Sequence, residues 1–220
     1  MPGLETVNFI GYSSSDDEIW VGSSYQPFIY TIKKEKEHIR LMSRIDLQNY
    51  TKGAGNNPQF FYEDKKHNIW IVTSLGLFVK PADSYNVLKE TGFLQREITG
   101  LTEDNSGHIW ISTRRNGVFC LTVSENFQIR KESVVKFDKV SGQLISDNIE
   151  GLCTDAEGRV WMGSQEGYVF LYNQKTKAVE DYSDIFPTLT EGVQDMKMDD
   201  AGHLWISTNK RILEYDPKTG

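Results

Sequence analysis

Short stretches in which every second residue is hydrophobic recur along the chain, separated by turns rich in glycine and polar residues. Residues 98–121 show the pattern well. A first alternating run ends near Leu101, a turn follows at Asn105-Ser106-Gly107, a second run contains Ile109-Trp110-Ile111, and a third begins at Val118. Because side chains alternate between the two faces of a β-strand, this pattern predicts three antiparallel strands joined by tight turns.

The same stretch occurs five times, anchored on the five tryptophans of the chain, which are separated by 50, 40, 51 and 44 residues. A period of about 40–50 residues with several short strands is typical of a β-propeller blade. The sequence therefore predicts an all-β protein, a β-propeller of five blade-like repeats of short antiparallel strands within one domain, residues 1–220. The predicted repeats cover about residues 4–57, 58–97, 98–148, 149–192 and 193–220.

Two positions of the repeat are interpreted as structural. The tryptophans lie in mid-strand between apolar neighbours, which favours packing between blades over stacking on a sugar. Six residues before the tryptophan stands an aspartate in four copies and Ser14 in the first. Each aspartate is isolated on its own turn, which indicates a turn cap, since calcium requires several oxygens from one loop. These structural residues are Trp20, Trp70, Trp110, Trp161, Trp205, Asp64, Asp104, Asp155 and Asp199.

Beyond these strands, each copy except the fifth is followed by a candidate outer strand, and the third has two, Phe127–Lys131 and Val134–Phe137. We therefore expect the chain to be part of a larger propeller, with the remaining blades or a second chain at the open edge. A homodimer is one form of that expectation, because an unpaired strand edge tends to pair with another chain.

Composition narrows the classes of partner. The chain has 220 residues, 25% of them charged, and a formal net charge of −7. Its basic residues are interleaved with acids, so the sequence predicts no nucleic-acid partner, and no apolar run reaches the ~18 residues of a membrane span. Cys120 and Cys153 lie in predicted strands, and the sequence leaves open whether they are paired.

No pattern in the chain points to catalysis. His108 and His203 stand two residues before a tryptophan, at a position held elsewhere by Asn68, Arg159 and Glu18. A position so variable is predicted to face solvent, with no metal role. We expect no cofactor, no metal and no catalytic residue.

Binding residues are therefore sought in the loops, because the repeated frame itself is generic. The loops that follow the tryptophan strands differ between copies, and they should lie beside the segments that lead into each blade, such as Gln95-Arg96-Glu97 and Asp147-Asn148. Arginines in an acidic protein make a sulfated or uronic ligand conceivable. The ligand-binding candidates are Arg114, Arg115, Asn116, Gln165, Glu166, Asn209 and Arg211.

The repeated pattern, with Asp-x-x-Gly-x-apolar-Trp-apolar followed by Gly or Ser and then Thr or Ser, resembles the regulator-propeller repeat. Its best copies are residues 98–121, 149–171 and 193–215, while Asp17 and His67 replace the turn glycine in the first two copies. That family forms the periplasmic sensor domain of Bacteroidetes hybrid two-component systems. The resemblance implies a ligand-sensing, non-enzymatic segment that recognises glycan-derived oligosaccharides, within an inner-membrane protein whose full length resembles a histidine kinase.

Two alternatives remain open at this stage. Streptogramin lyases are propellers with a similar turn, and an enzyme of that kind would need a histidine and a metal site at the mouth of the propeller. A protein-interaction scaffold is the other, since propeller faces are common docking surfaces.

Overall fold

The computed structural model describes residues 6–14, 17–23, 25–36, 38–50, 57–84, 88–93, 97–186, 189 and 191–219. The chain divides into two compact units. The first unit is residues 1–96 with 124–130, and the second unit is residues 97–123 with 131–220. The described residues form five antiparallel sheets, each a simple meander of consecutive strands, and contain no α-helix. The prediction of an all-β protein with five blade-like repeats is confirmed.

The first unit contains two four-stranded sheets in which neighbours along the chain pair with each other. One sheet is β1 (Phe9–Ser13), β2 (Glu18–Ser23), β3 (Gln26–Glu35) and β4 (His38–Asp46). The other is β5 (Pro58–Glu63), β6 (Ile69–Thr73), β7 (Leu77–Lys80) and β8 (Lys89–Glu90). A 3-10 helix, Leu47–Tyr50, follows β4.

The second unit contains three sheets. The first consists of β9 (Ile98–Glu103), β10 (Ile109–Thr113), β11 (Val118–Leu121) and β12 (Val134–Phe137). The second consists of β13 (Ile149–Thr154), β14 (Val160–Ser164), β15 (Val169–Asn173) and β16 (Ala178–Asp181). The third has three strands, β17 (Val193–Met198), β18 (Leu204–Thr208) and β19 (Ile212–Tyr215). Two 3-10 helices, Lys131–Ser133 and Ser183–Ile185, lie in the connections.

One expected outer strand of the third repeat is present and the other is absent. Val134–Phe137 forms β12, but the strand expected at Phe127–Lys131 does not form. Residues 124–130 instead pack in the first unit. The ring of Phe127, whose φ is +65°, lies edge-on to Trp70 with 6.3 Å between centroids, and the Ile129 N–H donates to Thr91 O at 2.8 Å. A left-handed phenylalanine interrupts the extended backbone that a strand requires, so this prediction was wrong.

The repeated aspartate does more than cap its turn. In the third repeat, Asp104 Oδ1 accepts the N–H groups of Ser106 and His108 at 2.8 and 3.0 Å, and Oδ2 accepts the indole N–H of Trp110 at 2.9 Å. The second, fourth and fifth repeats make the same indole bond over 2.8, 3.1 and 2.8 Å. One carboxylate thus joins the turn to the strand that follows it.

The position two residues before the tryptophan does not face solvent as predicted. Asn68 and Glu18 are 7% and 8% exposed, and the others are half-buried. In the second, third and fourth repeats the side chain contacts the repeated aspartate. Asn68 Nδ2 donates to Asp64 at 2.9 Å, His108 Nδ1 lies 3.0 Å from Asp104 Oδ2, and Arg159 Nε lies 2.6 Å from Asp155 Oδ2. Asparagine, histidine and arginine are all accepted in these three repeats because each can donate to a carboxylate.

Four of the five tryptophans are core residues, with 1% of each side chain exposed, whereas Trp205 is 38% exposed. The buried ones pack against structure that follows their own sheet. Trp161, for example, shares a cluster with Val193, Met196 and Ile206 of the fifth sheet. Among the described residues, no sheet follows the fifth one to cover Trp205. The interpretation of the tryptophans as core residues thus applies fully to four repeats.

Both cysteines are free thiols. Burial raises the pKa of Cys120 to about 12 and raises the pKa of Cys153 as well, so both are protonated at neutral pH. No disulfide joins them, which answers the question that the sequence left open.

Candidate functional site

A cleft of about 630 Å³ lies within the second unit, in the size range of small-molecule sites in proteins. Three segments line it: the loop after β10, the connection between β12 and β13, and the loop after β14. The lining residues are Arg114, Arg115, Lys139, Ile145, Ser146, Asp147, Asn148, Glu166 and Tyr168.

The serine or threonine that ends each tryptophan strand holds the loop behind it. Thr113 Oγ1 donates to Gly117 O at 2.8 Å and accepts the Asn116 N–H at 3.0 Å. Ser164 Oγ accepts the N–H groups of Glu166 and Tyr168 at 3.2 and 3.0 Å. These local turns fix where the variable side chains of each loop begin.

The connection between β12 and β13 is bonded to both loops. The Gly117 N–H donates to Asp147 O at 2.9 Å, and the Gln165 N–H donates to Asn148 O at 2.9 Å. A side chain at Gly117, which has φ +70°, would clash with the carbonyl oxygen of Phe137, so glycine is required where the two backbones approach. Backbone bonds therefore set the distance between the three walls of the cleft.

The cationic side chains of the cleft differ in how far they are already paired. Arg114 Nε lies 2.8 Å from Glu150 Oε1, and this hydrogen bond raises the pKa of Arg114 above its ordinary value. Arg115 is 76% exposed, and its Nε lies 3.7 Å from Glu97, a separation too long for a strong ion pair. Lys139 is also exposed. Arg115 and Lys139 are therefore the cations that a ligand could engage most readily.

Acceptors face the same cleft. The Ser146 hydroxyl donates to Glu166 Oε2, and Asp147 Oδ1 accepts the Lys139 N–H at 2.8 Å. Asn148 Oδ1 is buried and has no hydrogen-bond partner among the described residues. A buried amide oxygen without a partner is costly, so the Asn148 side chain is a poorly satisfied polar group in the wall of the cleft.

Three of the seven ligand-binding candidates from the sequence, Arg114, Arg115 and Glu166, line the cleft. Asn116 and Gln165 belong to the same loops without lining it. Asn209 is exposed in the loop after β18, away from the lining. Of the lead-in segments, Asp147 and Asn148 line the cleft, whereas residues 95 and 96 lie outside the described part of the chain.

The seventh candidate, Arg211, is tied to the fifth repeat by an internal ion pair. Its Nη2 lies 2.8 Å from Glu191 Oε2 and 3.0 Å from Oε1, and this bonding lowers the pKa of Glu191. The fourth repeat makes the corresponding connection between its lead-in segment and loop, Ser146 to Glu166. Arg211 thus joins the loop after β18 to Glu191, in the segment that leads into the fifth sheet.

Sequence reasoning missed Lys139, Ile145, Ser146 and Tyr168 as lining residues. Lys139 belongs to a turn in which the Gly142 N–H donates to Lys139 O at 3.1 Å, and the N–H groups of Gln143 and Leu144 return to Asp138 O at 3.3 Å. This turn carries no repeat signature, because the links between blades differ in sequence. A signal was present for Ile145 and Ser146, which directly precede Asp147 and Asn148 in the lead-in segment.

The five antiparallel sheets are of the kind that forms the blades of a β-propeller, and one stretch of the chain matches a known family of repeats in sequence. Residues 92–115 match the family described as two component regulator propeller. This stretch contains the third tryptophan repeat, and the five sheets follow the same strand-and-turn pattern. No curated protein matches the chain in sequence.

Solved structures are similar in fold. The extracellular domain of a protein named as hybrid two component system BT4673 from B. thetaiotaomicron is 18% identical, with a TM-score of 0.70 over 100% of this chain and 31% of that one. The extracellular domain of BT3049 from the same organism is 19% identical, with a TM-score of 0.67 over 97% of this chain and 28% of that one. This chain thus spans less than a third of either domain.

An enzyme also shares the fold. A streptogramin B lyase is 15% identical to the chain, with a TM-score of 0.67 over 96% of this chain and 68% of the lyase. At these identities the likeness concerns the fold alone. Among the described residues, no helix is long and apolar enough to span a membrane.

Proposed function

We propose that this chain is a ligand-sensing, extracytoplasmic propeller segment of a hybrid two-component sensor, and that it recognises a glycan-derived oligosaccharide in the cleft of the second unit. The match of residues 92–115 to the two component regulator propeller and the likeness to two sensor domains support the sensor class. The proposed location is periplasmic, in a protein anchored in the inner membrane.

The observation that carries the proposal is the composition of the cleft wall. Donors stand at Arg115 and Lys139, and acceptors at Asp147 and Glu166. Sugars present hydroxyl groups that both donate and accept, so a wall with both kinds of partner suits them. Tyr168 adds an aromatic surface at the same wall.

A sensor must couple binding to a change elsewhere. In the proposed mechanism the bound oligosaccharide favours one arrangement of paired sensor domains over another. Only a difference in affinity between the two arrangements can move that equilibrium.

The experiment is a thermal-shift screen of the chain against neutral, uronic and sulfated oligosaccharides. Ligand at about 100 times its Kd should add about 2.7 kcal/mol to the free energy of unfolding, which is readily measured. Arg115→Ala and Lys139→Ala should each weaken binding about 10- to 100-fold, as expected for the loss of a charge-assisted hydrogen bond. These two side chains are exposed, so folding should be unaffected.

The matched control is Asn209→Ala, which changes an exposed residue of the corresponding loop in the fifth repeat and should leave affinity unchanged. If no oligosaccharide shifts the melting temperature of the chain or of the full-length sensor, the glycan proposal fails. A ligand whose affinity is insensitive to Arg115→Ala and Lys139→Ala would place the site outside this cleft. A protein retained stoichiometrically by the chain, without glycan binding, would favour the scaffold function.

A lyase is the second candidate function, favoured by the shared fold of the streptogramin B lyase. None of the chain's four histidines belongs to the cleft lining, and a lyase of that kind would need one there. The segment is therefore proposed to be non-enzymatic. Loss of a streptogramin B that requires a divalent cation, measured by mass spectrometry with and without EDTA, would reverse this conclusion.

A further inference from the structure

Outside the cleft, three side chains of metal-binding type meet in the third repeat. Asp104 follows β9, His108 precedes β10, and Cys120 lies on β11 opposite Trp110. One carboxylate oxygen, one imidazole nitrogen and the thiol sulfur all lie within 4.8 Å of one another. Ligands around a tetrahedral Zn²⁺, at about 2.0–2.3 Å from the metal, lie roughly 3.3–3.8 Å apart, so side-chain adjustments of about 1 Å would bring all three atoms onto one ion.

The other repeats show what is particular to the third. The residue opposite the tryptophan is Thr31, Val79, Leu171 or Glu214 in the first, second, fourth and fifth repeats. Among the described residues, only the third repeat brings a carboxylate, an imidazole and a thiol together. In the fourth repeat, the guanidinium of Arg159 lies against the equivalent aspartate instead and supplies a positive charge.

The aspartate is held ready for such a role. Two backbone N–H groups bind Asp104 Oδ1, and the indole N–H of Trp110 binds Oδ2, while a further lone pair of Oδ2 faces His108 Nδ1 at 3.0 Å. Hydrogen bonds of this kind orient the carboxylate ligands of metals. The His108 side chain is 38% exposed, which gives an ion a path from solvent.

We propose that Asp104, His108 and Cys120 bind a borderline-soft divalent cation of the Zn²⁺ type, with water as the fourth ligand. The carboxylate and the thiolate neutralise its two positive charges, and the imidazole binds as the neutral form. On binding, the S–H bond of Cys120 breaks, a sulfur–metal bond forms, and the proton passes to water. The ion would join β11 to the turn between β9 and β10, independently of the cleft.

The test is a titration of the purified chain with Co²⁺, which binds Zn²⁺ sites and reports a thiolate ligand by a charge-transfer band in the near ultraviolet. We expect this band to appear, to saturate at one equivalent and to be displaced by Zn²⁺. Losing a residue that only orients a ligand weakens binding about 10- to 100-fold, so loss of a ligand should weaken it at least about 100-fold.

The chain itself supplies conservative variants. Cys120→Val and His108→Asn install the residues of the second repeat, Val79 and Asn68, and both should fold, as circular dichroism will show. Cys120→Val should abolish the band, and His108→Asn should weaken Co²⁺ binding. His203→Asn, the same change in the fifth repeat, should alter neither. The absence of a band in the wild type, or a band that persists in Cys120→Val, would overturn the proposal.

Discussion

The first and second repeats bury the same tryptophan in different ways. Trp20 and Trp70 are each 1% exposed, and each has a phenyl ring edge-on to the indole, Phe61 at 5.6 Å and Phe127 at 6.3 Å. The Trp70 N–H donates to Asp64 at 2.8 Å, whereas the Trp20 N–H is buried without a partner among the described residues. Packing of the ring is thus separable from the hydrogen bond of its nitrogen.

The difference arises from the register of the first hairpin. Tyr12 pairs with Ile19, so the next residue, Ser13, occupies the place that Asp64 fills after the pair Glu63 and Ile69. Counting six residues back from Trp20 gives Ser14, which is exposed and donates to Glu63 at 2.9 Å. The turn of the first repeat is one residue longer, and the serine that replaces the aspartate is too short to reach the indole.

The largest expected effect comes from removing the carboxylate. Asp64→Ala leaves the indole N–H and the backbone N–H groups of Lys66 and Asn68 without their acceptor. Each buried donor left unpaired costs about 1–3 kcal/mol, so we expect a loss of roughly 3 kcal/mol or more in the free energy of unfolding, measured by urea denaturation.

Ser13→Ala is the matched control at the equivalent place in the first repeat. Because no bond to Trp20 is lost, we expect a smaller cost than that of Asp64→Ala. Equal losses for the two variants would show that the carboxylate has no special role in holding the second repeat.

The second-largest expected effect distinguishes the packing of the indole ring from the hydrogen bond that its nitrogen donates. Trp70→Phe and Trp20→Phe remove the same volume from two equally buried sites, but only the first also removes a hydrogen bond to a charged group. We expect Trp70→Phe to cost about 1.5–3 kcal/mol more than Trp20→Phe in the free energy of unfolding. A difference near zero would mean that the bond between Trp70 and Asp64 contributes no net stability.

The smallest effect concerns the exposed pair of the fifth repeat. The Trp205 indole N–H is the main cause that lowers the pKa of Asp199 below its ordinary value of 3.8. A carboxyl group whose pKa is lower in the folded than in the unfolded state stabilises the fold when the pH is above the unfolded-state pKa. That contribution is lost as the pH falls through the folded-state pKa. Trp205→Phe should therefore raise the pKa of Asp199, as followed by carbon-13 NMR of its carboxyl group.

Asp216 provides the internal reference for that titration. Its pKa is lowered chiefly by the Lys218 backbone N–H and by Thr219, so it should not respond directly to the loss of the indole. An unchanged pKa of Asp199 beside an unchanged Asp216 would contradict the assigned cause.

Much of the fold could be predicted because each repeat is recognisable from the pattern of residues close together in the sequence. Alternating residues with a tryptophan every 40–51 positions specify strands and turns whose contacts are close along the chain. The predictions for Phe127–Lys131 and for the position two before the tryptophan failed for a common reason. Each depends on a partner beyond the local strand pattern, Trp70 in one case and the repeated carboxylate in the other.

The candidate site could be predicted only in outline. The idea that loops after the tryptophan strands lie beside lead-in segments identified Arg114, Arg115 and Glu166 among the cleft residues. It could not show that Arg211 is clamped by Glu191, nor that Lys139 turns into the cleft. Ion pairs and turns that involve the variable segments depend on how close those segments lie in the folded protein. The repeat pattern of the sequence does not predict these distances.

The sequence by itself determined the number of repeats, the alternation of buried and exposed faces, and the pairing of Asp and Trp six residues apart, because these depend on interactions within one hairpin. Tertiary structure alone decided which tryptophan stays partly exposed, which arginine faces a cleft, and that Cys120 meets Asp104 and His108. Those outcomes depend on contacts between hairpins, strands and links, where small changes in register or turn length move a side chain by several ångströms.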